Sequence, residues 1–147
     1  VVQALLTHAD DRALRETVYT AYNTRASDQG PHAGQFDNSD RIARILALRH
    51  EAAQLLGFPS AAHESLEDKM AGSPERVLGF LRELAAKARP VAMRELDELR
   101  AFASTELRLH DLQPWDVAYA SEKLRVARYA FEEEQLKPYF SQASVLK

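Results

Sequence analysis

The chain has 147 residues, of which 46% are hydrophobic and 28% charged, and its net charge is −3. That composition belongs to a folded globular chain with room for a sizeable core; it argues against intrinsic disorder, and no basic surface for nucleic acid is implied. Cysteine is absent, which excludes disulfides and thiolate metal sites and fits a cytosolic protein, and no apolar run reaches the roughly 20 residues of a membrane span.

Punctuation by Gly, Pro and capping residues predicts a helical protein with no sheet. Val1–Thr7 reads as a short apolar helix end. Asp10 or Asp11 caps a helix whose apolar face is Leu14, Val18, Ala21 and Tyr22, spaced three to four apart. The loop Ala26–Asp37 carries Gly30-Pro31 and Gly34, which disfavour helix. Asn38 is the expected N-cap of the next helix, with Asp40 in its first turn and one face traced by Ile42, Ile45, Leu46, Arg49, Ala53 and Leu56. Gly57 supplies the left-handed position that ends it, Phe58 packs back on Ala53, and Pro59 blocks continuation.

Ser60 begins a short helix bearing Leu66 and Met70 and ended by Gly72. Ser73-Pro74-Glu75 is a cap followed by proline at the first helical position. From there Val77, Phe80, Leu81, Leu84, Ala88, Ala92, Leu96, Leu99, Phe102 and Ala103 hold one helical phase to about Leu107, straight through Pro90. A restarted helix would lose phase, so one long helix kinked near Pro90 is expected. Pro114-Trp115-Asp116 opens a further helix with Trp115, Ala118, Tyr119, Val126 and Tyr129 facing inward. Glu132–Glu134 then lead to a turn at Pro138-Tyr139-Phe140.

Chemistry-bearing motifs are sparse. A zinc peptidase helix needs His at i and i+4 with a Glu between them, so that both imidazoles face one metal. His50-Glu51 is followed by Gln54, and His63-Glu64 by Glu67, so both fall short and read as surface residues of amphipathic helices. No histidine has Glu three residues before it, which removes a di-metal carboxylate bundle. No phosphate loop, dinucleotide fingerprint or Gly-x-Ser-x-Gly elbow occurs. Arg25 stands where a helix meets the loop. It either meets a peptide carboxylate or satisfies its own helix end and a nearby acid. Trp115 reads as a core anchor, and Tyr22, Tyr119, Tyr129 and Tyr139 as buried rings with a bonded hydroxyl.

One block is more specific than any of these motifs: Tyr19-Thr20-Ala21-Tyr22-Asn23-Thr24-Arg25-Ala26-Ser27-Asp28, then Ile42–Glu51 closing on Leu55-Leu56-Gly57-Phe58. With Ser65-Leu66, Lys69-Met70-Ala71, Gln113-Pro114-Trp115-Asp116 and Pro138-Tyr139-Phe140, it resembles the thimet oligopeptidase and oligopeptidase A family of zinc metallopeptidases. The resemblance implies an all-α fold and, for a parent protein, cleavage of short peptides in a deep channel by a zinc ion held on a His-Glu-x-x-His helix. That motif is nowhere in the 147 residues. The resemblance therefore transfers no catalytic, cofactor-binding or metal residue onto this sequence, and no zinc is expected on this chain alone. Tyr119-Ala120 departs from the adjacent aromatics common in that family.

The resulting expectation is a single helical fragment, 1–147, truncated at both ends and contributing scaffold and channel wall to a cytoplasmic oligopeptidase. On its own it is expected to be inactive and to self-associate through Val1, Val2, Leu5, Leu6, Val145 and Leu146. The alternative is a stand-alone helical interaction module with no catalytic lineage.

Overall fold

The computed structural model describes residues 1–129. Among these there is no strand, and six α-helices follow in order: α1 Val2–His8, α2 Arg12–Asn23, α3 Ser39–Leu55, α4 Ala61–Leu66, α5 Pro74–Glu106 and α6 Val117–Tyr129. A single 3₁₀ turn, Pro114–Asp116, precedes α6. No helix among the described residues is long and apolar enough to cross a membrane. The acidic segment Glu132–Glu134, the Pro138-Tyr139-Phe140 turn, Val145 and Leu146 lie outside the described residues. The chain divides into two compact units, one of residues 1–19 and 96–147, the other of residues 20–95.

In the first unit α1 packs on α6. Leu99 and Ala103 of α5 and Ala120 of α6 are buried together, with Leu107, Leu109, Leu112 and Leu124 against them. Their spacing puts Leu99 and Ala103 on one helical face, and small Ala side chains let the helix backbones approach. α5 stops where Arg108 turns left-handed (φ 56°), and the Leu109 N–H returns to the Ala103 carbonyl at 2.9 Å. Leu6 is buried and Val2 and Leu5 are half-buried, so the apolar patch expected at the start of the chain is largely absent. α1 has already found its cover on α6.

In the second unit the sequence punctuation reads true. Gly57 takes φ +85°, a region open to glycine but strained for other residues, and the Phe58 N–H donates to the Ala53 carbonyl at 2.8 Å. Ser60 Oγ accepts from the His63 N–H to cap α4, and Ser73 Oγ accepts from the Arg76 N–H to cap α5. α5 then runs unbroken through Pro90 to Glu106, as the apolar phase predicts.

Several burial expectations fail. Asn38 does take the N-cap position of α3, but its side chain makes no cap: Asp37 Oδ1 accepts from the Ser39 N–H at 2.9 Å, and Asn38 Oδ1 receives Arg41. α3 buries only Ala53 of its predicted face, leaving Ile42, Ile45, Leu46 and Leu56 exposed. Met70 lies beyond the end of α4 and is fully exposed, and Tyr129 is exposed as well. On α2, Leu14 and Tyr22 are exposed while Arg15 is buried. The helical period locates a face; it does not say whether a charged residue will find a partner good enough to displace the apolar ones.

Candidate functional site

Arg12 and Arg15, three apart in the first turns of α2, share one helical face. Asp11 caps this helix, its Oδ1 accepting from the Ala13 and Leu14 N–H groups at 2.9 and 3.2 Å. The two guanidinium groups meet Asp116, at the end of the 3₁₀ turn and 104 and 101 positions away in sequence. Arg12 Nε and Nη2 donate to Asp116 Oδ2 at 3.0 and 2.8 Å, and Arg15 Nη2 donates to Oδ1 at 2.7 Å. The Gln113 N–H adds a bond to Oδ2 at 3.1 Å. Arg12 Nη2 also reaches the Asp111 carbonyl at 2.7 Å, and Arg15 Nη1 the Ala9 carbonyl at 2.7 Å. Arg15 and Asp116 are fully buried, whereas the Arg12 side chain is 43% exposed.

Around this clamp sits a second layer. Arg15 lies over the Tyr119 ring at 4.2 Å, and Lys123 is 5.0 Å from the same ring. The Tyr119 hydroxyl donates to Asp10 at 2.9 Å, and Lys123 pairs with Asp10 at 3.5 Å. The Tyr19 and Trp115 rings meet at 6.1 Å, a tilted aromatic pair. Trp115 and Tyr119 are thus half-buried, in line with the sequence reading of core rings.

Burial alone would push the Asp116 carboxyl up. Bonds from Arg12, Arg15 and the Gln113 amide outweigh it and hold the group below the ordinary carboxylate range. Burial and the bond to Asp10 push the Tyr119 phenol up. Both shifts work against catalysis at neutral pH. A carboxylate whose oxygens are filled by arginines is a poor base, and a phenol with a raised pKa is a poor nucleophile. The cluster is a closed clamp that ties the start of α2 to the entry of α6.

Sequence reasoning missed this clamp. The signal was present in Arg12 and Arg15 on one face and in Asp116 following a proline, yet nothing local pairs residues a hundred positions apart.

The other candidates resolve as follows. Arg25 stacks its guanidinium on the Tyr22 ring at 4.7 Å, rather than bonding the last carbonyls of α2 or pairing with an acid among the described residues. Thr24 Oγ1 takes the Thr20 carbonyl instead, at 2.7 Å. Just beyond, Ala26 takes φ +57° and its carbonyl accepts from the Asn38 N–H at 3.1 Å, which closes the loop at its neck. His63 Nδ1 is engaged with Ser60 Oγ at 2.8 Å, and His50 is exposed on α3. No three His, Asp or Glu side chains among the described residues gather into a set that would hold a metal ion. The described residues do not fit a zinc site.

The model of Peptidase family M3 matches residues 5–147, and the chain belongs to that family. It is 57% identical over 136 residues to oligopeptidase A of Salmonella typhimurium, an overlap of 92% of this chain and 20% of that protein. It is 46% identical over 142 residues to oligopeptidase A of Haemophilus influenzae, covering 97% of this chain and 21% of the relative. With a probable cytosolic oligopeptidase A of Arabidopsis thaliana it shares 38% identity over 144 residues, 97% of this chain and 20% of the relative. The chain thus spans about a fifth of the length of the curated relatives it matches.

Proposed function

We propose that this chain is a helical scaffold and channel-wall segment of a zinc-dependent oligopeptidase that acts on short peptides in the cytoplasm. The observation that carries the reading is the pairing of a family match across residues 5–147 with coverage of only a fifth of the relatives' length. Relatives named oligopeptidase A support the peptide substrate, and one named as a probable cytosolic enzyme supports the compartment. Among the described residues no three histidines or carboxylates gather into a ligand set, and His63 is bonded to Ser60, which supports a wall rather than an active centre. The rigid clamp between α2 and α6 suits a wall that keeps its shape while peptides pass. Taken alone, the chain is inactive, binds no zinc tightly, and self-associates weakly, only at high micromolar concentration.

The test compares hydrolysis of a quenched fluorescent peptide by two proteins, the isolated chain and the longer polypeptide encoded by the same gene. The longer polypeptide is expected to cleave the peptide and to lose activity on chelation, with recovery on adding zinc. The isolated chain is expected to show no zinc-dependent turnover. Turnover by the isolated chain, or none by the longer polypeptide, overturns the reading.

A further inference from the structure

α3 is exposed where an amphipathic helix should be covered. At 3.6 residues per turn, Leu55, Leu48, Ala52, Ile45, Leu56, Ile42, Ala53 and Leu46 sweep roughly half the helix circumference, interrupted by Arg41 and Arg49. Asp40, Arg44, His50, Glu51 and Gln54 occupy the other half. Of the whole apolar arc only Ala53 is buried; Leu46 is 60% exposed and Leu55 83%. α4 packs on α3 and accounts for the Ala53 side alone.

We infer that the apolar arc of α3 is a docking face covered by polypeptide of the same longer chain lying outside these 147 residues. This rests on the proposal that the chain is a segment of a longer peptidase. Two observations select that occupant. The relatives carry about four-fifths of their length beyond the stretch matched here, so covering polypeptide is at hand. The area also disfavours a second copy. A 17-residue helix is about 25 Å long and about 10 Å wide, so half its surface is about 400 Å². An α3-to-α3 contact would bury about 800 Å² in total, the level of a crystal contact and short of a stable dimer at about 1,200 Å² or more. Cover from the same polypeptide avoids the entropy cost of association that so small a contact cannot offset. An arc this wide also needs neighbours on two sides, since one packing partner covers a stripe of about 100°. α3 is therefore an interior helix of the longer protein, with α4 on one flank and outside polypeptide on the other.

The chain contains no cysteine, so single introduced thiols report on this face. Leu48→Cys and Leu55→Cys stand on the side away from Ala53, and Glu51→Cys stands on the polar side as the control. Maleimide labelling is followed by mass spectrometry of the α3 peptide, at sub-micromolar protein, in the isolated chain and in the longer polypeptide. In the isolated chain all three positions are expected to label at similar rates. In the longer polypeptide Leu48→Cys and Leu55→Cys are expected to slow by about 100-fold or more, as burial limits reaction to local opening, while Glu51→Cys changes by less than about threefold. Equal labelling of all three positions in the longer polypeptide overturns the inference. So does protection that disappears on dilution, which assigns the face to a second copy, and so does a gene that ends with this chain. Should the variants misfold, hydrogen exchange of the wild-type α3 amides in the two proteins decides the same question, with equal protection counting against it. Peptide hydrolysis separates the two proposals. Protected thiols in a polypeptide without peptidase activity remove the function and keep the docking face. An active peptidase with freely labelled Leu48→Cys does the reverse.

Discussion

Removing the Asp116 carboxylate leaves a guanidinium buried without its counter-ion, and the structure sets the scale of that loss. Arg15 has 1% of its side chain exposed and Asp116 none, so water cannot replace the missing partner. Breaking a buried pair from one side costs about 3–5 kcal/mol, which is a large share of the 5–15 kcal/mol that holds a typical domain together. Asp116→Ala is therefore expected to lower stability by about 3–5 kcal/mol. Arg15→Ala leaves Asp116 still bonded to Arg12 and is expected to cost less, about 2–3 kcal/mol for the lost charged hydrogen bonds. Arg12→Ala removes a half-exposed partner, and its loss is expected near 1 kcal/mol. Urea unfolding followed by fluorescence of Trp115, the single tryptophan and a neighbour of the clamp, measures all three. The double variant Arg15→Met/Asp116→Leu, which replaces the ions with apolar side chains, is expected to recover much of the loss. An Asp116→Ala cost under about 1 kcal/mol, or one smaller than that of Arg12→Ala, refutes the reasoning.

Acid should act through the same group. Because Asp116 has a folded pKa below its unfolded one, its contribution is present in full above the unfolded value near 4 and is lost as pH falls through the depressed folded value. The urea midpoint is expected to fall more steeply below about pH 4 in wild type than in Asp116→Asn, and parallel curves argue against it. Gly30 and Gly57 both have positive φ, +80° and +85°, but a Cβ on Gly30 would sit 1.9 Å from Thr24 Oγ1 while one on Gly57 meets open space. Gly57→Ala is expected to cost about 1–2 kcal/mol from backbone strain alone. Gly30→Ala is expected to cost more, with part regained in Gly30→Ala/Thr24→Ala, and thermal melts compare them.

What the sequence disclosed, and what it hid, divides by range. Caps, breakers and helical phase are local, so the left-handed Gly57, the Ser60 and Ser73 caps and an α5 unbroken through Pro90 could all be read directly. The family resemblance was carried by contiguous stretches such as Tyr19–Asp28 and Ile42–Phe58, and it withstood comparison with known proteins. Burial is not local. Arg15 rather than its neighbour Leu14 is buried at the start of α2 because its partner Asp116 arrives from 101 positions away. Of the apolar face read on α3 only Ala53 is buried, because periodicity marks a stripe without supplying its cover. Arg25 did not satisfy its helix end or pair with an acid, because its guanidinium stacks on a ring three residues back.

The clamp also bears on the order of events during synthesis. Closing the loop necks at Ala26 and Asn38 joins residues 12 apart, whereas Arg12 and Asp116 are separated by 104. By loop-closure entropy the longer connection costs about 2 kcal/mol more to form in the nascent chain. At translation speeds of about 5–20 residues per second, the arginines of α2 emerge from the ribosome roughly 5–20 s before their carboxylate. During that interval two cationic side chains and the apolar face of α1 wait without their partners. The second unit can be complete before α6 has been made, so α1 and the start of α2 wait for partners that follow the whole of residues 20–95.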